Sequence, residues 1–191
     1  MIDPVIAIVA RAALALLFLA AGLHKLRAPH RFHEAVIGYL PGLRRWPRLG
    51  EAMRIVIAAG EILLAGGLAL TAARPGTDGM AMVVGTMAAG LMGLYAMLIA
   101  RALSAGRGGF DCGCGGLAAR RQSVGWPLVA RNLLLAGVAL VAATPVATRS
   151  LTLFDGLTVI FGLVATALLY AAAETVLALP TAPPMRGGVR R

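Results

Sequence analysis

The chain predicts an all-α fold, a polytopic membrane helical bundle of about five transmembrane helices, on three observations. It is 59% hydrophobic with a mean hydropathy of +0.83, more apolar surface than a soluble domain of 191 residues can bury. The apolar residues fall into five runs, each near the length of about 20 residues that a helix needs to cross a bilayer. Charged residues make up only 14% of the chain and collect between those runs.

The first run covers residues 4–26. No basic segment precedes it, Arg11 lies inside it, and Lys25 and Arg27 follow its core. That order fits a retained first span rather than a cleaved leader. Residues 28–49 place Phe32, Val36, Tyr39 and Leu40 at helix-like spacing, with Arg31, His33 and Glu34 between them. This predicts a short amphipathic helix lying in the interface, with Trp46 in the aromatic belt. The second and third runs, 50–73 and 80–103, are joined by the compact turn sequence Arg74-Pro75-Gly76-Thr77-Asp78-Gly79. Residues 104–125 hold both cysteines and seven glycines, too many for a regular helix. The fourth and fifth runs, 126–147 and 152–178, are joined around Pro145 to Ser150. Connections this short predict antiparallel neighbours, so spans two and three form one hairpin and spans four and five another. The integral helical domain is expected over 1–179. A basic, Pro/Gly-rich tail, 180–191, is expected to be disordered.

Lipid gives helices no hydrophobic reason to associate, so close backbone approach must hold the bundle. Small-residue stretches such as Ala58-Ala59-Gly60 and Ala88-Ala89-Gly90 supply it and predict a tight bundle rather than a wide pore. No internal repeat marks a transporter built from inverted halves.

The net charge of +10 does not indicate nucleic acid, because no basic stripe is interleaved with aromatics. It indicates loops held on the cytoplasmic side. The ends bearing Lys25, Arg44, Arg107 and the tail carry thirteen basic residues, against Arg74 and Arg149 on the other side. The N-terminus is therefore expected in the periplasm and the C-terminus in the cytoplasm. The cysteines then face a compartment that keeps thiols reduced unless they turn over or are screened.

Both cysteines lie in Phe110-Asp111-Cys112-Gly113-Cys114-Gly115-Gly116. Gly113, Gly115 and Gly116 let the backbone bend enough to bring Cys112 and Cys114 within bridging range. A ring that small favours exchange with other thiols. Arg107 favours the thiolate and Asp111 opposes it. A metal is a weaker reading, since two thiolates half fill a tetrahedral site and only His24, His30 or His33 could complete it. Two incidental thiols in a glycine-rich loop are the third reading. Glu61, near the middle of the second span, is costly there unless protonated or paired with a cation such as Arg11 or Arg131. It serves either proton movement and polar ligand contact or an interhelical hydrogen bond. His24 and Lys25 close the first span, either as snorkelling anchors or as contacts for a lipid or quinone head group. Arg131, Asn132 and Glu174 are expected near the interfaces, Glu174 by snorkelling. No Gly-rich phosphate loop, no His pair at metal spacing and no Ser-His-Asp set is present, which argues against soluble-enzyme chemistry.

Ala21-Gly22-Leu23-His24-Lys25-Leu26, then Phe32 and Tyr39-Leu40-Pro41, with Glu61 inside the second span, resemble the DoxX-like membrane proteins. The Cys112-Gly113-Cys114-Gly115 loop narrows the resemblance to the MauE family of methylamine utilisation integral membrane proteins, over roughly residues 4–178. Gly115 stands where many members carry Phe. The resemblance implies a multi-pass protein of the bacterial inner membrane that supports maturation of the beta (small) subunit of methylamine dehydrogenase. It implies a thioredoxin-like, MauD-like periplasmic partner and thiol-disulfide oxidoreductase chemistry at Cys112 and Cys114. No cofactor is firmly implied, a quinone being the one candidate. The alternatives are a non-catalytic assembly or export scaffold for the same client and a small-solute transporter.

Overall fold

A computed structural model describes residues 1–74, 76–110, 112 and 124–177. Cys114, the glycines beside it and the tail 180–191 lie outside the described residues. The described chain forms six α-helices: α1 (Pro4–Arg27), α2 (Pro29–Tyr39), α3 (Pro47–Ala73), α4 (Asp78–Ser104), α5 (Trp126–Ala143) and α6 (Leu153–Leu177). A short 3-10 turn, Pro41–Arg45, joins α2 to α3. Five of the helices are long and apolar enough to cross a membrane, and α2 is the short amphipathic helix between the first two. The architecture is the all-α membrane bundle that the sequence predicts.

A seam of alternating three- and four-residue steps builds the core. On α1 it runs through the buried Ala7, Arg11, Leu14, Phe18, Ala21 and Lys25. On α4 it runs through the buried Ala81, Gly85, Ala88, Met92, Ala96 and Ile99. This spacing keeps one stripe facing a neighbour along a whole span, as in coiled coils. The tightest pairs are α1 with α3 and α4 with α5. Leu14, Phe18, Leu68, Ala88, Met92 and Ala139 meet in the main cluster. Small residues set the approach: a Cβ on Gly85 would lie 2.7–2.9 Å from Ala143, including its backbone. Ala58 and Ala88 are fully buried, whereas added side chains at Gly60 and Gly90 would meet nothing.

Two expectations are corrected. The fourth span ends at Ala143 rather than near residue 147. Pro145 cannot continue a helix, and Thr144 before it is extended at φ −73°, ψ 147°. The last two spans also do not form a close hairpin; α6 packs chiefly on α1. The cause is the connection between them. Ile2 donates from its N–H to the Pro145 carbonyl (3.1 Å), and Ala147 donates to the Ile2 carbonyl (2.9 Å), so the chain is drawn across the start of α1. Arg149 then bridges Asp3, at the N-cap of α1, and Asp155 in the first turn of α6.

Arg11 is part of this frame. Its Nε donates to the Ala142 carbonyl (3.0 Å), Nη1 to Thr71 (3.2 Å) and Nη2 to Thr144 (3.4 Å). These carbonyls belong to the C-terminal ends of α3 and α5, where oxygens lack intrahelical partners and the dipoles are negative. One buried guanidinium thus caps two helices.

Candidate functional site

At the opposite end of the bundle, Lys25 in the last turn of α1, Glu61 in α3 and Tyr95 in α4 converge. The seam explains the meeting, since Lys25 lies four residues beyond Ala21 on the buried face of α1 and Glu61 follows Ala58 on that of α3. Lys25 Nζ donates to both carboxylate oxygens of Glu61, at 2.7 and 2.8 Å. Tyr95 OH donates to Glu61 Oε1 at 2.8 Å, and Lys25 Nζ sits 5.6 Å from the centroid of the Tyr95 ring. Lys25 is 4% exposed and Glu61 0%. Arg54 holds the end of α1, donating from Nη1 to the Lys25 carbonyl (3.1 Å) while paired with Glu51. Charges this deeply buried persist only with their remaining hydrogen-bond valences met, which Tyr95 accomplishes for Glu61.

The described part of the cysteine loop is fastened to α2. Arg107 Nη1 donates to the Gly38 and Tyr39 carbonyls, at 3.3 Å each. The Phe110 and Tyr39 rings meet edge to face, with centroids 5.1 Å apart. Phe110 also lies over Gly38, where a Cβ would run into the ring, so only glycine allows this contact. Tyr39 OH donates to the Cys112 carbonyl at 3.4 Å. Cys112 is disulfide-bonded, 3% exposed, and packed with Ala96, Ile99, Val124 and Leu128. The sequence contains one other cysteine, Cys114.

One cavity of about 80 Å³ joins the two features. Lys25 and Tyr95 line it on one side and Cys112 on another, with Phe32, Val36 and Tyr39 of α2 closing it. Apart from Lys25 and the tyrosine hydroxyls, its wall is apolar. Lys25 and Cys112 therefore border one small, largely apolar space in which charge is weakly screened.

Several site expectations change. Glu61 pairs with Lys25, not with Arg11 or Arg131. Arg11 caps α3 and α5, and Arg131 faces Glu174 of α6 at 3.8 Å. Lys25 does not snorkel; its ammonium turns inward to the carboxylate, which lowers the cost of burying both. Glu174 does not snorkel either and is 1% exposed beside Arg131. Asn132 is buried and donates to the Leu128 carbonyl at 2.8 Å. His24 is half-buried and does not line the cavity. Tyr95 is a residue that the sequence reading missed, although it follows Met92 by three residues and lies half-buried beside the buried stripe of α4. The same register, continued from Ala7 through Ala21, reaches Lys25.

A helical bundle with five span-length apolar helices and a buried Lys–Glu–Tyr cluster that shares a cavity with Cys112 defines a multi-pass membrane protein with a polar centre near one end. The family model for methylamine utilisation protein MauE matches residues 3–145, which include the whole cluster and both cysteines. The chain belongs to the MauE family. It is 35% identical to the methylamine utilization protein MauE of Paracoccus denitrificans over 148 residues, 75% of this chain and 72% of that protein. It is 30% identical to the methylamine utilization protein MauE of Methylophilus methylotrophus over 189 residues, 93% of this chain and 89% of that protein. No solved structure matches the chain.

Proposed function

We propose that this protein is a membrane accessory factor of methylamine utilisation that performs thiol–disulfide exchange at Cys112 and Cys114 while the small subunit of methylamine dehydrogenase matures. The observation that carries the reading is the cavity shared by Cys112, Lys25 and Tyr95. The names of the relatives supply the pathway. A MauD-like, thioredoxin-like protein is the proposed exchange partner.

The burial of Cys112 supports different roles for the two sulfurs. A bulky partner does not reach Cys112, so its thiolate attacks Cys114 and the electron pair of the broken S–S bond leaves on Cys112. Lys25, held in place by Glu61, stabilises that leaving thiolate across the cavity, and Tyr95 holds Glu61. A second partner thiolate resolves the mixed disulfide, which leaves the Cys112–Cys114 pair reduced and the partner oxidised. Reoxidation requires a two-electron acceptor, and a membrane quinone takes the two electrons and two protons of a dithiol within lipid. The 80 Å³ cavity is smaller than the roughly 150 Å³ that admits benzene, so the quinone acts from outside it unless α2 moves.

The test is a pair of strains. Cys112→Ser should yield no mature small subunit, and a partner that lacks its second thiol should trap a mixed disulfide with Cys114 when Cys112 is present. Cys114→Ser should yield neither. Active dehydrogenase at wild-type level in both strains would defeat the exchange mechanism. Lost maturation without any trapped adduct would favour the scaffold reading.

A further inference from the structure

The face that carries the cysteine loop holds a second, open pocket of about 300 Å³ between the 3-10 turn and the end of α4. Tyr39, Gly42, Leu43 and Trp46 form one wall, and Arg101 and Arg107 form the other. Among the described residues, Arg101 makes no side-chain hydrogen bond or ion pair and no carboxylate lines the pocket. Arg107 engages α2 through Nη1, which leaves Nε and Nη2 available. We propose that this pocket binds the phosphodiester of an anionic phospholipid.

Three observations support this. Two guanidinium groups on one small pocket repel each other unless an oxyanion lies between them, and the guanidinium fork matches phosphate oxygens. The pocket is bounded by the end of α4 and the turn before α3, the level at which spans leave the hydrocarbon and lipid phosphates lie. Trp46, 66% exposed, offers an indole suited to that level, and with Leu40 and Leu43 it gives the lipid-borne anion an apolar wall that free phosphate would not use. Gly42 leaves the opening clear, since a Cβ there would meet nothing within 4 Å. Tyr39 and Leu40 are shared with the Cys112 cavity, and Arg107 also holds the last carbonyls of α2. A bound phosphate therefore braces the clamp over Cys112.

The experiment uses the full chain in phosphatidylcholine nanodiscs with added phosphatidylglycerol, read by retained lipid in native mass spectrometry and by the thermal midpoint. R101Q/R107Q is compared with R44Q/R45Q, which removes the same charge from the neighbouring turn. Phosphatidylglycerol should bind and stabilise the wild type and R44Q/R45Q, and should bind R101Q/R107Q about tenfold or more weakly. Inorganic phosphate should not substitute. R101K/R107K, which keeps the charge and folding electrostatics but loses the fork, should also bind more weakly than wild type. Equal losses in the two glutamine variants, or full binding by R101K/R107K, would reduce the effect to general surface charge and overturn the proposal. So would equal stabilisation by inorganic phosphate, or displacement of the lipid by a glutamate-rich peptide, which would mark a free-anion or a protein site.

Discussion

An ammonium enclosed among apolar helices is tolerable only where a carboxylate meets it, and Lys25 and Glu61 meet that condition at 2.7 Å. Removing one member leaves the other buried and uncompensated. Glu61→Gln or Lys25→Met should therefore cost about 3–5 kcal/mol in detergent unfolding. The double variant K25M/E61L should cost less than the sum of the single changes, and full additivity would show that the pair is not coupled. Tyr95→Phe removes one hydrogen bond to a charged group and should cost about 1.5–3 kcal/mol, with the fold retained by circular dichroism. At this scale the sequence was partly legible. Glu61 stood out because a carboxyl is rare within an apolar span. Its partner was misread because a lysine at a helix end can usually reach water. The register from Ala7 to Lys25 was the available signal, and it outranks proximity to the helix end because it determines which way the side chain leaves the helix.

Among the elements, α2 closes the cavity and anchors the cysteine loop through a contact only glycine permits. Gly38→Leu should displace Phe110, loosen the loop and speed reduction of the Cys112 disulfide by a mild dithiol, while the spans keep their helicity. An unchanged reduction rate would show that the Phe110–Gly38 contact does not control access. The helices themselves were readable from apolar length, and their observed bounds lie within a few residues of the expected ones. Their pairing was less readable. A short connector favours adjacent helices, but hydrogen bonds from Ile2 redirect residues 144–152 toward α1, and no local pattern encodes that long-range contact.

Over the whole molecule, polar work is divided between the two ends, with the Lys–Glu–Tyr cluster and cysteine loop at one and the Arg149 bridge at the other. Hydrogen bonding from Arg149 lowers the Asp3 carboxyl below its ordinary value of 3.8. A carboxylate lowered in the folded state contributes stability that is present above its unfolded value and is lost as pH falls through the folded one. Spin labels at Ile2 and Ser150 should thus report an unchanged distance across about pH 5–8 and separation only below about pH 4. Loosening near neutrality would contradict the bridge. The sidedness of the bundle has its own measurement: a membrane-impermeant thiol reagent applied after reduction should leave Cys114 unlabelled in intact cells if the basic end faces the cytoplasm, whereas direct exchange with a periplasmic partner requires labelling from outside. Labelling from outside would reverse the orientation. The lean attachment of α6, which touches mainly α1 and lines neither the Cys112 cavity nor the arginine pocket, has a further consequence. It makes the last span an outrigger: with Glu174 kept opposite Arg131, its lipid-facing surface can be recast for neighbours in the bilayer while the cavity chemistry goes on undisturbed.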